Sequence, residues 1–155
     1  GTESNKYYFI VAKHSEKCLD VKDASTENAA NVFQYDIHGG LHQQWTLGQL
    51  PDGYYIIVAR HSGKVLDVQD HSKDNCGNVF QYQLHGEENQ KWEIRSTRDG
   101  YNYIKSKASG KALDVQDGSI DNAANVFQYE LWKGDNQKWK FVEVPVAQVE
   151  KKAAP

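Results

Sequence analysis

The 155-residue sequence has no methionine and only two cysteines. Without methionine, Gly1 cannot begin an unprocessed product, so the chain is expected to be a mature product or a fragment of something longer. Cys18 and Cys76 fall at non-equivalent places in the internal repeat described below; one repeat back Cys76 becomes Ala29, and one repeat on Cys18 becomes Val65. A disulfide framework shows paired, patterned cysteines, so two free thiols are expected. No apolar run approaches the roughly 20 residues of a membrane span, and no signal-peptide pattern is visible; membrane insertion is not expected. Basic excess is missing too. Lys and Arg number 18 against 21 Asp and Glu, a net charge of −3, whereas nucleic-acid and polyanion binders usually carry a basic surplus; no nucleic-acid partner is expected. Ser-His-Asp, phosphate-loop and zinc-spacing motifs are also absent from the sequence.

What is present is a threefold repeat. Asn31 to Trp45 reads NVFQYDIHGGLHQQW, Asn78 to Trp92 reads NVFQYQLHGEENQKW, and Asn125 to Trp139 reads NVFQYELWKGDNQKW. The closing tryptophans stand at 45, 92 and 139, a step of 47 residues each time. The same step relates the Leu-Asp-Val triplets of Asp20, Asp67 and Asp114, and the unit starts at Tyr7, Tyr54 and Tyr101. No insertion or deletion is needed. The length suits one domain with a real core. Its parts are a loose segment at 1–6, repeats at about 7–53, 54–100 and 101–142, and a tail or linker at 143–155. In that tail Val144-Pro145-Val146 reads as a terminal strand and QVEKKAAP as a linker.

Each unit offers four short strands and little helix. In the first, 7–12 is aromatic and β-branched, 18–21 alternates, 31–38 is a third strand, and 43–47 a fourth with Gln43 and Trp45 pointing the same way. Leu19 and Val21 share one face of their strand and Asp20 takes the other. The segment 22–30, rich in Asp, Ser, Asn and Ala, reads as a loop. One such unit cannot bury its apolar face alone, so three must close on each other. Three blades are too few for a propeller. The expectation is an all-β, threefold barrel capped by hairpins, with Leu19, Leu66, Leu113 and the three closing tryptophans converging near the axis.

These residues resemble the ricin-type β-trefoil lectins: Leu-Asp-Val, a loop, Val-x-x-Tyr, then Asn-Gln-x-Trp, three times over about 135 residues. The resemblance implies a β-trefoil with a shallow sugar pocket in each repeat. There the aspartate accepts hydrogen bonds from sugar hydroxyls, an aromatic stacks on the ring, and the Asn before Gln adds a further bond. Carried over, the carbohydrate-binding residues are Asp114, Tyr129, Trp132, Asn136 and Gln137 in repeat three. In repeat two they are Asp67, Tyr82, His85, Asn89 and Gln90. In repeat one they are Asp20, Tyr35, His38, His42 and Gln43, with His42 replacing the expected Asn. Many relatives also carry a disulfide inside each repeat; this chain keeps at most one half of it, at Cys18.

The residue types suit the chemistry. An ionised Asp only accepts and can receive two neighbouring hydroxyls. A Tyr or Trp face covers the C–H patch of a pyranose. An amide both donates and accepts. Structural roles stand beside these: the tryptophans as core, Gln34, Gln81 and Gln128 as satisfiers of buried groups, and Gln43, Gln90 and Gln137 as either sugar contacts or supports of the aspartate. Asp23, Asp70 and Asp117 bracket the loop, and with the motif aspartates they fall short of a calcium cage; no metal or cofactor is expected. A glycosidase needs two carboxylates flanking one bond, about 5–10 Å apart, while the repeat distributes its aspartates one per unit, so catalysis is not expected. The function expected is non-catalytic, multivalent binding of glycans or polysaccharides, of galactose type or containing pentose. The alternative is a β-trefoil protease inhibitor or protein-interaction module. A catalytic domain in a longer parent is the partner expected of a detached module. The location expected is secreted or extracellular, with a cytoplasmic lectin left open.

Overall fold

A computed structural model describes residues 6–145. Repeat one contributes β1 (Tyr8–Ala12), β2 (Cys18–Val21), β3 (Val32–Tyr35) and β4 (Trp45–Gln49). Repeat two contributes β5 (Tyr55–Ala59), β6 (Val65–Val68), β7 (Val79–Tyr82) and β8 (Trp92–Ser96). Repeat three contributes β9 (Asn102–Ser106), β10 (Ala112–Val115), β11 (Val126–Tyr129) and β12 (Trp139–Glu143). The first and fourth strands of the units pair around a closed ring: β1 with β4, β4 with β5, β5 with β8, β8 with β9, β9 with β12, and β12 back with β1. Closure removes the unpaired edges that an open sheet would expose. The second and third strands form the hairpins β2–β3, β6–β7 and β10–β11, which cap one end. Single bridges link the hairpins in a cycle: Asn31 to Phe80, Asn78 to Phe127, and Asn125 to Phe33. This is the β-trefoil expected.

The 47-residue step sets the core. Ile10, Ile57 and Ile104, then Leu19, Leu66 and Leu113, then Trp45, Trp92 and Trp139 are all fully buried. Each indole N–H finds a carbonyl, that of Leu19, Leu66 or Leu113, at 3.0–3.2 Å, as a buried Trp requires. Polar pins hold the repeats together. The Gln34 amide donates to the Ser119 and Asp121 carbonyls and accepts from Ser15 Oγ, all at 2.8 Å. Gln81 and Gln128 repeat this against their own neighbouring units. Near the axis Asn31, Asn78 and Asn125 bond side chain to side chain in a ring, at 2.9–3.0 Å.

Three strand expectations shift. The second strands are buried on both faces, because the turn that precedes the fourth strand covers the aspartate side. The third strand stops at Tyr35, and Gln43 lies in a 3₁₀ turn, Leu41–Gln43, ahead of β4. The C-terminal strand ends at Glu143, although Val144 stays buried and its N–H bonds the Tyr7 carbonyl at 2.8 Å. Val146 and QVEKKAAP lie outside the described residues, as do residues 1–5 of the N-terminal segment. Both cysteines are free, Cys18 buried under β1 and Cys76 exposed; burial pushes the Cys18 thiol far up, so it stays an inert thiol.

Candidate functional site

In each hairpin the second strand offers an aspartate and the third an aromatic pair on the same face. Cross-strand register sets Asp20 opposite Phe33, Asp67 opposite Phe80 and Asp114 opposite Phe127. Two residues along, where side chains return to the same face, come Tyr35, Tyr82 and Tyr129, stacked on those phenylalanines at 5.8–6.0 Å between ring centroids.

Repeat two shows how the aspartate is held. Asp67 Oδ2 accepts from Gln90 Nε2 at 2.7 Å and Oδ1 from Asn89 Nδ2 at 3.1 Å. Gln90 also donates to the Gln83 carbonyl, and its Oε1 receives the His85 and Gly86 N–H groups. Its amide is therefore spent inside the protein, and the 3₁₀ turn Glu88–Gln90 is tied to the end of the hairpin. Asn89 donates a second bond to the Val68 carbonyl, and its buried Oδ1 has no partner. Above lies an open depression of about 240 Å³ lined by Asp67, Asp70, His71, Phe80, Tyr82, His85, Glu87 and Asn89.

Repeat three keeps the same brace: Gln137 Nε2 at 2.8 Å and Asn136 Nδ2 at 3.1 Å from the two oxygens of Asp114. Its depression, about 350 Å³, is lined by Asp114, Asp117, Gly118, Phe127, Tyr129, Trp132 and Asn136. Trp132 is 58 % exposed. Its indole lies directly on the Gly134 backbone, where any Cβ would overlap the ring. Burial raises the Asp114 carboxyl to about 6, against the opposing pull of its hydrogen bonds from Gln137 and Asn136. Burial raises Asp67 as well, with Gln90 and the nearby His85 opposing.

Repeat one is braced on one side only. Gln43 Nε2 donates to Asp20 Oδ2 at 2.8 Å and to the Asp36 carbonyl, and Gln43 Oε1 takes the His38 and Gly39 N–H groups. Where Asn89 and Asn136 donate, His42 stands with Nε2 at 3.7 Å from Asp20 Oδ1. His38 Nε2 lies 3.7 Å from Oδ2. Burial raises Asp20 and lowers His42, each opposed by the other's charge.

The sequence matches the family described as ricin-type beta-trefoil lectin domain-like over residues 1–82 and 88–153. The chain belongs to that family. Carbohydrate binding in general is the activity that membership brings to this lectin-like domain. Among solved structures it is 51% identical to a designed threefold symmetric protein, ThreeFoil, with a TM-score of 0.88 over 89% of this chain and 99% of that one. It is 40% identical to an exo-beta-1,3-galactanase from Clostridium thermocellum, with a TM-score of 0.88 over 92% of this chain but only 31% of the galactanase. A Macrolepiota procera ricin B-like lectin, in complex with lactose, shares the fold at 17% identity, with a TM-score of 0.79 over 93% of this chain and 99% of that one. No curated protein sequence matched.

The lectin domain thus brings Asp, Tyr and rim residue together in every repeat, and the Asn of repeats two and three with them. Gln43, Gln90 and Gln137 are fully buried and do not reach the depressions; they position the aspartates rather than face a ligand. The alternation of the strands could have revealed Phe80 and Phe127, which line the depressions beside Tyr82 and Tyr129. Asp70 and Asp117 line them too, held in left-handed backbone at φ 57° and 59°. His71 and Glu87 gave no sequence signal, because nothing local places them over Asp67.

Proposed function

We propose that this domain is a non-catalytic, multivalent reader of galactose-type or pentose-containing glycans, strongest at repeats two and three and weakest at repeat one. The observation that carries this is the braced aspartate beneath an aromatic rim, repeated around the threefold axis. An Asp whose far side is already hydrogen-bonded is preorganised as an acceptor for sugar hydroxyls. Beside Asp67 the unpartnered Asn89 Oδ1 is a further acceptor waiting for a donor. Tyr82, Tyr129 and the exposed Trp132 offer flat apolar faces to a C–H patch. The lactose complex of the Macrolepiota lectin and the GalNAc complex of an earthworm R-type lectin support the galactose class. The galactanase, of which the chain spans about a third, supports a role as a targeting module beside a polysaccharide-degrading domain. Such glycans lie outside the cell, and the reading places the protein there.

The mechanism is exchange of water for protein at the sugar hydroxyls. Each hydrogen bond gains only about 0.5–1.5 kcal/mol net and the stacking ring about 1 kcal/mol more. Less the cost of fixing the ligand, dissociation constants on the order of 0.1–10 mM follow for a monosaccharide. Sites on three repeats let a branched or polymeric glycan raise avidity by roughly 10²–10⁴. Calorimetry with galactose, arabinose and xylose beside retention on the matching polysaccharides tests this. Millimolar monosaccharide binding with firm retention on polymer is expected; micromolar binding at a single site with no gain on polymer would refute the multivalent mechanism.

A further inference from the structure

Repeat one departs from the other two in a consistent way. Its buried carboxylate faces two imidazoles, and the donor atoms of Asp20, His38 and His42 all lie within 4.8 Å of one another. Each imidazole Nε2 stands 3.7 Å from a different oxygen of Asp20. That is too long for a hydrogen bond and close to the spacing of about 3.3 Å between neighbouring ligand atoms in a tetrahedral zinc site. His42 makes no hydrogen bond among those the structure records, so its ring is held by contact with the His38 and His61 rings and by the charge of Asp20. The backbone makes room for the pair: a Cβ at Gly40 would come within 2.7 Å of the His42 ring and 2.8 Å of the His38 ring. The equivalents of Gly40 are Glu87 in repeat two and Gly134 in repeat three, and the equivalents of His42 are Asn89 and Asn136. The histidine at 42, beside the room that Gly40 leaves, builds a convergence that the braced repeats lack.

We propose that repeat one binds a divalent transition-metal ion, of the Zn²⁺, Cu²⁺ or Ni²⁺ class, through the Asp20 carboxylate and the Nε2 atoms of His38 and His42. Two imidazoles and one carboxylate suit these ions. Calcium and magnesium need more oxygen ligands than the three donors supply. A contraction of a few tenths of an ångström about the ion completes the set. The imidazoles are partly exposed, 45% for the His38 side chain and 21% for His42, so the remaining positions go to water. The Gly40 N–H donates to His38 Nδ1 at 3.1 Å, which puts the proton of the neutral ring on Nε2. The ion displaces that proton; Nδ1 then carries the ring hydrogen, and the Gly40 N–H turns to solvent on its exposed turn. Gln43 serves as the outer support, holding Asp20 Oδ2 from behind in the manner of groups that orient metal ligands. A loaded ion occupies the acceptor that a sugar would use, so metal and glycan exclude each other at this repeat. The inference does not depend on the carbohydrate reading.

A second cluster, His71, His85 and Glu87, also gathers three donors, but all three are exposed; the buried Asp67 lies 3.6 Å from His85 Nε2, with both its oxygens already bonded by Gln90 and Asn89. The test therefore uses a His71→Ala protein as its reference. Calorimetric titration with Zn²⁺ in chelator-free buffer is expected to show one equivalent bound, and Co²⁺ to give a ligand-field absorption spectrum with imidazole character. Adding His42→Asn installs the residue that the other repeats carry at this place, so the fold is kept, which far-ultraviolet circular dichroism checks. It is expected to weaken Zn²⁺ binding by more than the roughly 10–100-fold that follows loss of an outer-shell partner, and to abolish the Co²⁺ spectrum. No Zn²⁺ binding to the His71→Ala protein, or equal binding with and without His42, overturns the proposal.

Discussion

In repeat three, Asp114 lies under an exposed indole, with Asn136 and Gln137 on its two oxygens. In repeat one, Asp20 keeps the glutamine, loses the asparagine and faces two imidazoles. The interiors of the two repeats nevertheless coincide, from the buried tryptophan with its carbonyl partner to the glutamine pin on the neighbouring unit. Interior positions answer to the threefold axis, since a change in one repeat must still fit the other two. Rim positions answer only to solvent and ligand, so they drift. The lesson is that the trefoil fixes where an acceptor sits, and the rim decides what it accepts from.

The largest expected effect tests the shared interior. Trp45→Ala and Trp139→Ala should each cost about 3–5 kcal/mol of stability, read by denaturant unfolding. Clearly unequal costs would break the equivalence of the two interiors. Next is the acceptor itself. Asp114→Ala should weaken galactose-class binding at its repeat by roughly 10–100-fold, from the loss of about 1.5–3 kcal/mol in bonds to a charged group. Asp20→Ala should change sugar binding far less; the reverse ranking would invert the comparison. The same aspartate sets a pH dependence. Its folded value of about 6 lies above the ordinary 3.8, with burial as the first cause. Between those values the folded state binds more protons than the unfolded chain, so this group's contribution to stability is present at low pH and is lost as pH rises through the window. Sugar binding runs the other way: the ionised acceptor disappears as pH falls below about 6, and repeat-three affinity should fall with it in a calorimetric pH series.

Smaller effects sharpen the rim. Gly134→Ala would push Trp132 off the backbone it lies on, and should cost sugar binding about 1 kcal/mol, the same as expected for Trp132→Ala, with melting temperature as the control. Sugar affinity unchanged by Gly134→Ala would mean that the indole is not the stacking platform. His42→Asn should be the mildest change. It restores a donor to Asp20 Oδ1 and to the Val21 carbonyl, by analogy with Asn89 and Asn136. About 0.5 kcal/mol of added stability is expected, the low end for one hydrogen bond, measurable by thermal melting.

The sequence by itself determined the threefold repeat, the all-β class, the buried tryptophans and the place of each aspartate on its strand. All four follow from local alternation and a fixed step of 47 residues, and neither depends on knowing which strands meet. The burial of Gln43, Gln90 and Gln137 was decided by the tertiary structure. Alternation put each glutamine on the tryptophan's side of a strand, but only the 3₁₀ turn brings its amide under an aspartate 23 residues earlier. Alternation put the phenylalanines on the tyrosine face, but only cross-strand register set them opposite the aspartates. The meeting of His38 and His42 on Asp20 is likewise a tertiary fact, because it needs the hairpin end and the turn before β4 to converge. Barrel closure is a long-range event whose gain comes only after distant strands pair, and no local pattern in the chain records where its side chains will then meet.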